Sequence, residues 1–243
     1  MHRFFCSSGD ILENAVTIAD KEQIHHIRDV LHLKIGEKVE AFDEKGNEYN
    51  CVVKEIRNEV SLTIIQKITA KFNNSAELAI ACAIPKNCKM EDIIDKLTQL
   101  GVNRIIPLET ERVIVKMDKK KKEARFLRWQ RIALSAAKQS QRSTIPVIEP
   151  IKKIKELLIE SVGYDLKIIP TLIKERKSIK EAIPRSKAKK ILVLIGPEGD
   201  FTPEEVDMAI ESGFIPVTLG DTVLRVDTAA IAVVSFLKLN EDY

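Results

Sequence analysis

From Glu77 onward the chain alternates short apolar segments with amphipathic ones, and this alternation constrains the fold more than any other feature. Helical spacing joins Met90, Ile93, Ile94, Leu97 and Leu100, with Gly101 where such a helix would end. Further segments predict strands at 78–84, 104–108, 166–171, 191–195 and 214–219, and helices at 123–139, 203–212 and 229–239. Strands that alternate with helices predict an α/β domain whose mainly parallel sheet is covered on both faces.

The first 70 residues have a different pattern, made mainly of short strands. Segments 38–43 and 49–54 flank a turn at Lys45-Gly46-Asn47, which is typical of a hairpin, and 60–64 alternates in the same way. One helix is predicted at 21–31, so a small β-barrel with a helix is the expected packing. Polar residues then interrupt the pattern. We therefore predict a domain at 1–70, a linker at 71–76 and a second domain at 77–243.

Composition indicates a globular protein and excludes several classes of function. The 243 residues are 44% hydrophobic and 31% charged, and no apolar run approaches the roughly 20 residues that span a bilayer. The N-terminus lacks the apolar stretch of a secretory signal, and the four cysteines form no Cys-x-x-Cys pair. We therefore expect a cytoplasmic location, without a membrane partner.

All four histidines, His2, His25, His26 and His32, lie within the first 32 residues. Their absence downstream argues against a histidine-based catalytic triad or zinc site in the larger domain. We expect no metal. Net charge is only +3, although Lys116 and the run at 119–122 suit either phosphate contacts or an ordinary solvated helix entrance.

The segment after the predicted strand at 191–195 is a candidate ligand loop. It reads Gly196-Pro197-Glu198-Gly199-Asp200, and Thr202 and Glu205 then form a capping box at the start of a helix. Neither common nucleotide-binding glycine motif occurs in the chain. Because the Glu198 carboxylate would repel a phosphate, the loop suits a neutral or cationic ligand better.

A second candidate loop follows the predicted strand at 214–219. Segment 221–228 places Arg225 beside Asp227 and Thr228 at the entrance of an apolar helix, where backbone N–H groups are free. An ordinary cap by Asp227 or Thr228, with Arg225 solvated, is the alternative reading. Two such loops at neighbouring strand ends favour a ligand site.

These motifs resemble a known family. Ile195-Gly196-Pro197-Glu198-Gly199, Leu219-Gly220, Leu224-Arg225 and Thr228-Ala229-Ala230 are similar to the SPOUT methyltransferase superfamily, and most closely to its RsmE family. That family methylates N3 of a uridine in small-subunit (16S) ribosomal RNA. The likeness covers nearly the whole chain, including Arg3-Phe4-Phe5 and the segment from Arg128 to Arg142. Three positions depart from the family pattern, which usually has Gly at Asp200, Glu at Asp227 and Arg at His32.

The resemblance implies an α/β protein with an N-terminal PUA-like β-barrel that binds RNA and a C-terminal SPOUT domain tied into a trefoil knot. It implies a homodimer and S-adenosylmethionine as cofactor, bound in a bent shape by the knotted loops. The cofactor-binding residues that it implies are Thr171, Leu172, Ile195, Gly196, Pro197, Glu198, Gly199, Leu219, Gly220, Val223, Leu224 and Arg225.

The resemblance also suggests roles in catalysis and RNA binding. Arg225 would stabilise the charge that develops on the base, and Asp227 or Thr228 would orient or accept the N3 proton. The RNA contacts expected are Arg3, His25, His26, Arg28, Lys86, Lys138, Gln139 and Arg142. Read without the resemblance, His25 and His26 are surface or capping residues.

The expected partner is small-subunit ribosomal RNA or the 30S particle. Two alternatives stay open from the sequence. The chain would be a SPOUT methyltransferase that acts on another RNA base, or a non-catalytic RNA-binding assembly factor, which would need no ligand loops.

Overall fold

The structure is a computed structural model that describes residues 1–68, 76–86, 89–113, 118–140, 142–173, 175–183 and 188–240. Lys116, Cys88 and residues 71–75 of the predicted linker lie outside these ranges. The chain divides into two compact units. The N-terminal unit comprises residues 1–73 and 137–145, and the C-terminal unit comprises 74–136 and 146–243.

The N-terminal unit is built on one six-stranded sheet. Its strands are β1 (His2–Phe5), β2 (Ile11–Leu12), β3 (Ala15–Ile18), β4 (Lys38–Phe42), β5 (Glu48–Ile56) and β6 (Val60–Ile68), in the order β1-β4-β5-β6-β3-β2. β1 runs parallel to β4, and the other neighbours are antiparallel. The predicted hairpin is therefore present as β4 and β5, and Gly46 in its turn has a φ of 83°.

The helical segment of this unit differs from the prediction of one regular helix at 21–31. Helix α1 spans Lys21–His25, with the Asp20 side chain accepting from the Gln23 amide, and the chain continues as a π-helical turn at His26–Val30. Ile24 and Ile27 are buried in the core of the unit. The apolar pattern of the segment does not distinguish the two kinds of helical turn.

The C-terminal unit contains an eight-stranded parallel sheet. Its strands are β7 (Glu77–Ala83), β8 (Arg104–Glu109), β9 (Val147–Ile148), β10 (Lys152–Lys153), β11 (Leu166–Pro170), β12 (Lys177–Ser178), β13 (Lys190–Ile195) and β14 (Ile215–Thr218). The strand order is β10-β8-β7-β13-β11-β14-β12, and β9 also pairs with β8. Every described pairing in this sheet is parallel, as the alternation predicted.

Helices cover the two faces of this sheet. The helices that follow β7 in the chain are α2 (Met90–Gln99), α3 (Lys119–Gln139), α4 (Ile154–Glu160), α5 (Ile179–Ala182), α6 (Pro203–Glu211) and α7 (Val226–Leu239). Helices α4 and α6 share a core with Ala79, Ala81, Leu192 and Leu194. Alternate strand residues point to opposite faces, and α7, which contacts β7, β13 and α2, covers the other face. Within the described ranges, no helix is long and apolar enough to cross a membrane.

Candidate functional site

The candidate site lies at the carboxyl ends of three neighbouring strands. β11 pairs with both β13 and β14, so the segments that follow these strands converge. They surround an open cavity. Parallel α/β sheets bind ligands at this edge, since loops there are free of the constraints of the sheet.

Most of the residues predicted to bind a cofactor line this cavity. They are Thr171, Leu172, Ile195, Gly196, Pro197, Glu198, Leu219, Gly220, Val223 and Leu224. Two predicted residues, Gly199 and Arg225, are not among the lining residues. The quoted motifs therefore lie in two of the segments that meet here, and the third segment, with Thr171 and Leu172, was implied by the resemblance alone.

Sequence reasoning missed part of the lining. The additional residues are Pro170, Arg176, Asp200, Val217, Thr218, Thr222, Val226 and Ala229. Most of these adjoin the quoted motifs, so extending each motif by a few residues would have found them. Arg176 carried no such signal, and its guanidinium donates to the Thr171 carbonyl oxygen at 3.1 Å.

The loop after β13 is anchored at the start of α6 by the predicted capping box. Thr202 Oγ1 accepts from the Glu205 amide at 3.2 Å, and Glu205 Oε2 accepts from the Thr202 amide at 2.9 Å. Glu205 is only 2% exposed, and its other oxygen accepts from the Glu111 amide at 2.8 Å. Both carboxylate oxygens are thus satisfied by backbone donors, which is what a buried acid requires.

Further hydrogen bonds fix the loop from the side of β7 and β8. Glu198 Oε1 accepts from the Lys86 amide at 3.0 Å. The Arg112 guanidinium donates to the carbonyl oxygen of Gly199 and, at 3.4 Å, to that of Asp200. The loop is therefore bound to two other segments of the unit, once through the Glu198 side chain and once through its backbone.

Asp200 connects this loop to the segment after β11. Its Oδ2 accepts from Thr171 Oγ1 at 2.8 Å and from the Leu172 amide at 2.7 Å, and its Oδ1 accepts from the Phe201 amide at 2.8 Å. Gly196 lies close by, because a Cβ placed on it would be 3.0 Å from the Phe201 ring and 3.3 Å from Asp200 Oδ1. A side chain at Gly196 would thus disturb the fold as well as the cavity.

The three residues predicted to be catalytic lie at the first turn of α7. The helix begins at Val226, three residues before the predicted start, with Arg225 as its N-cap residue. The alternative in which Asp227 or Thr228 caps the helix is therefore wrong, since both lie inside it. Asp227 Oδ1 accepts from the Thr228 amide at 2.8 Å and from the Thr228 hydroxyl at 3.4 Å.

None of these three side chains is part of the cavity lining, but their neighbours are. Leu224, Val226 and Ala229 line the cavity, while Arg225 is exposed to solvent. Arg225 thus stands at the rim, beside the cavity and accessible from outside.

Of the residues predicted to contact RNA, only Lys86 belongs to the C-terminal unit, where it is exposed. In the N-terminal unit, Arg3 pairs with Glu48 at 2.7 Å and its guanidinium lies 4.7 Å from the centre of the Phe42 ring. The Arg3 side chain is 15% exposed. Its charge is therefore largely engaged within the unit.

His25 and Arg28 are exposed, and both are hydrogen-bonded to the Asp29 carboxylate. His25 Nδ1 lies 2.7 Å from Asp29 Oδ2, and Arg28 donates two hydrogen bonds of 2.9 Å to the same carboxylate. The hydrogen bonds from Arg28 and His25 hold the pKa of Asp29 well below its usual range. His26 is exposed beside them.

The remaining predicted RNA contacts lie in the segment at 137–145. Burial lowers the pKa of Lys138, although the nearby Asp20 and Glu22 oppose this, and Lys138 Nζ lies 5.7 Å from the centre of the Phe5 ring. Burial also lowers the pKa of Arg142 to about 10. Gln139 between them is exposed, and Gln141 lies outside the described residues. With a pKa of about 10, Arg142 stays protonated at neutral pH.

In the described part of the chain, no three His, Cys, Asp or Glu side chains are grouped as a metal site would require. The donors around the cavity are instead backbone groups, hydroxyls, two carboxylates and the guanidinium of Arg176. Such a set suits an organic ligand that carries both apolar and charged parts.

Comparison with known proteins identifies the class to which this fold and cavity belong. Residues 72–238 match a family model described as an RNA methyltransferase domain, and residues 18–65 match an RNA methyltransferase PUA domain. The first match includes the strands whose ends form the cavity, and the second covers β4, β5 and most of β6 in the six-stranded sheet. The expected PUA-like domain and parallel α/β domain are confirmed.

Individual relatives narrow the class. The chain is 29% identical to the ribosomal RNA small subunit methyltransferase E of Bacillus subtilis, over 97% of this chain and 95% of that one. It is 30% identical to the protein of the same name from Buchnera aphidicola subsp. Schizaphis graminum, over 93% and 91% of the two chains.

A solved structure shows the same likeness. The ribosomal RNA small subunit methyltransferase E of Neisseria gonorrhoeae, bound to S-adenosyl methionine, superposes with a TM-score of 0.84 at 28% identity, covering 99% of this chain and 98% of that one. The chain therefore belongs to the ribosomal RNA small subunit methyltransferase E family, as its sequence motifs indicated.

Proposed function

We propose that this protein transfers a methyl group from S-adenosylmethionine to N3 of a specific uridine in 16S ribosomal RNA. The observation that carries the proposal is the cavity at the ends of β11, β13 and β14, which is lined by the three segments where the resemblance implied a cofactor. Its lining combines apolar side chains with a few polar groups, as small-molecule sites typically do.

The lining suits this donor in its chemistry as well. Leu172 and Val223 are 49% and 70% exposed at the cavity, so a ligand with an apolar ring would cover them. Glu198 and Asp200 place carboxylates in the same lining. A ligand that is cationic at sulfur is compatible with these acids, whereas a phosphate would be repelled.

The chain's own residues would act on the RNA base. S-adenosylmethionine, when bound, supplies an activated methyl group on a sulfonium, so the protein needs neither a metal nor a strong nucleophile. Uridine N3 must lose its proton, and the exposed Arg225 is placed at the rim to stabilise the negative charge on the base oxygens. Asp227 or Thr228 would orient or accept the proton.

Most of the acceleration would come from alignment of N3 with the methyl group. Residues of both units would hold the RNA, chiefly through the exposed side chains of His25, His26, Arg28, Lys86 and Gln139. Asp29 pairs with His25 and Arg28, so the side chains of these two residues are already oriented before RNA binds. Arg3, Lys138 and Arg142 are less accessible to solvent. They would contribute to RNA binding mainly through the long-range electrostatic attraction of their positive charges.

The substrate would be small-subunit ribosomal RNA or the 30S particle in the cytoplasm, and the active unit a homodimer. Helix α7 supports the dimer proposal, because Leu239 is 71% exposed and Ile231 and Phe236 are only partly buried. The knot stays a prediction. Light scattering tests the dimer, and a monomer that methylates at full rate would contradict it.

Isothermal titration calorimetry followed by a transfer assay tests the proposed function. The purified protein should bind S-adenosylmethionine without added metal, and with 30S particles that lack the modification it should form 3-methyluridine, identified by nucleoside mass spectrometry. A methylated base of another kind would indicate a different target. Failure to bind the donor would favour the non-catalytic assembly factor.

A further inference from the structure

The geometry points to Asp200 as a positioning residue that joins two of the three cavity loops and so sets the affinity for the methyl donor. This inference rests on the proposed function. Its basis is the set of contacts of one carboxylate, which accepts hydrogen bonds from Thr171, Leu172 and Phe201. The first two of these residues follow β11, whereas Asp200 follows β13.

The contacts of the segment after β11 show which of its groups depend on the Asp200 carboxylate. The Thr171 backbone is already fixed, because its amide donates to the Val217 carbonyl at 3.2 Å and its carbonyl accepts from Arg176 at 3.1 Å. The Leu172 amide donates to Asp200 at 2.7 Å, at the point where the chain leaves the sheet. Leu172 lines the cavity with its exposed side chain. Asp200 therefore orients a residue that a ligand would contact.

The backbone at Asp200 supports a specific role for its side chain. Its φ of 61° lies in the left-handed region, which glycine adopts at less cost. Gly196 leaves space beside it, since a Cβ there would lie 3.3 Å from Asp200 Oδ1. An acid kept in an unfavourable conformation, with each oxygen hydrogen-bonded, is typical of a functional constraint.

The loops would be less preorganised without this carboxylate. Binding would then have to order Leu172 and the loop after β13 together, and affinity falls when a ligand must order its own site. The chemical step, which depends on residues at the rim such as Arg225, would be affected much less once the donor is saturating.

Asp200→Gly tests the inference, because it removes the carboxylate and relieves the backbone strain. Glu13→Gly is the matched control, since Glu13 is an exposed acid with a φ of 49° in the N-terminal unit. Both variants replace an acidic residue by glycine at a left-handed position. Asp200→Asn keeps the shape and one acceptor oxygen, so it should recover part of the loss.

The readouts are the dissociation constant for S-adenosylmethionine, the donor KM and kcat, and hydrogen exchange at the Leu172 and Phe201 amides. We expect Asp200→Gly to weaken donor binding and raise KM by about tenfold. Its kcat should stay within about twofold of wild type, with faster exchange at both amides. Glu13→Gly should match wild type in every measurement.

Two other outcomes separate a failure of this inference from a failure of the proposed function. If the wild-type protein binds the donor and Asp200→Gly binds it equally well, Asp200 is not a positioning residue, whatever its effect on melting temperature. A wild-type protein that does not bind the donor at all would overturn the proposed function, and this inference with it.

Discussion

The loop after β13 and the loop after β14 form two walls of the same cavity, yet they are built differently. The first is joined by Glu198, Arg112 and Asp200 to three other segments of the unit. In the second, the described hydrogen bonds before α7 connect Thr218 with Gly220 in the same loop. Residues 220–223 of that loop are exposed.

This difference indicates a division of roles. A loop whose polar groups are satisfied within the protein presents a preformed surface, which lowers the cost of binding. A loop with exposed residues and few internal bonds gains most from its ligands. We therefore propose that the β13 loop is the preformed part of the donor site, and that the β14 loop and the start of α7 contact the RNA base as well as the donor.

The largest expected effect comes from Arg225. Arg225→Ala should reduce the single-turnover rate by about 100- to 1,000-fold at saturating RNA and donor, because the guanidinium is needed mainly when the base becomes anionic. Donor affinity should change little, since the donor is itself cationic at sulfur.

Arg225→Lys is the matched variant and should recover only part of the rate, since an ammonium keeps the charge without the planar fork. A normal single-turnover rate for Arg225→Ala, combined with weaker and less salt-dependent RNA binding, would make Arg225 a phosphate contact instead.

The turn that begins at Asp43 in the N-terminal unit offers a contrast with the β13 loop. Its hydrogen bonds join only residues 43–49, so they do not connect distant segments of the chain. Asp43 is 1% exposed and accepts from the Lys45 and Asn47 amides, the Asn47 side chain and the Tyr49 hydroxyl. Asp43→Ala should lower the free energy of unfolding by about 2–3 kcal/mol, measured by urea denaturation. Donor affinity should not change.

This effect should depend on pH. Burial alone would raise the pKa of Asp43, but the hydrogen bonds from Asn47, Tyr49 and Lys45 together hold it below its ordinary value of 3.8. The stabilisation is thus complete above that value and is lost as pH falls through the lower pKa of the folded state. The difference in the free energy of unfolding between wild type and Asp43→Ala should therefore shrink in acid. Asp95→Ala, at a partly exposed site, is the control and should lower the free energy of unfolding by about 0.5 kcal/mol or less. A loss of stability in Asp43→Ala that is as large in acid as at neutral pH would contradict this.

Val223 tests whether the β14 loop also contacts the donor. Val223→Arg should weaken donor binding by about tenfold, because it places a cation beside a cationic ligand. Val162→Arg is the control, since Val162 is 83% exposed and is not part of the cavity lining. Calorimetry measures both. Equal affinities for the two variants would show that the donor does not reach Val223.

The smallest expected effect is at Lys86. Lys86→Ala keeps the backbone bond to Glu198, so the β13 loop should be undisturbed. It should weaken RNA binding only slightly and reduce the slope of log affinity against log salt by about 1. Lys54→Ala, another exposed lysine, serves as control. An unchanged salt slope would remove Lys86 from the RNA-binding surface.

Whether the sequence predicted a contact around the cavity depends on how far apart the two residues lie in the chain. The capping box at Thr202 and Glu205 is local and was predicted correctly, as was the strand before it. The contact of Asp200 with Thr171 joins residues 29 apart and depends on β13 lying next to β11, which strand periodicity does not specify. The early start of α7 was missed because the polar residues Asp227 and Thr228 interrupt the apolar pattern.

Nucleoside mass spectrometry of small-subunit ribosomal RNA tests the central claim most directly. RNA from a strain that lacks this gene should have lost one 3-methyluridine, which the wild-type gene restores and the Arg225→Ala variant does not. Ribosomal RNA from the deletion strain with unchanged 3-methyluridine would contradict the account.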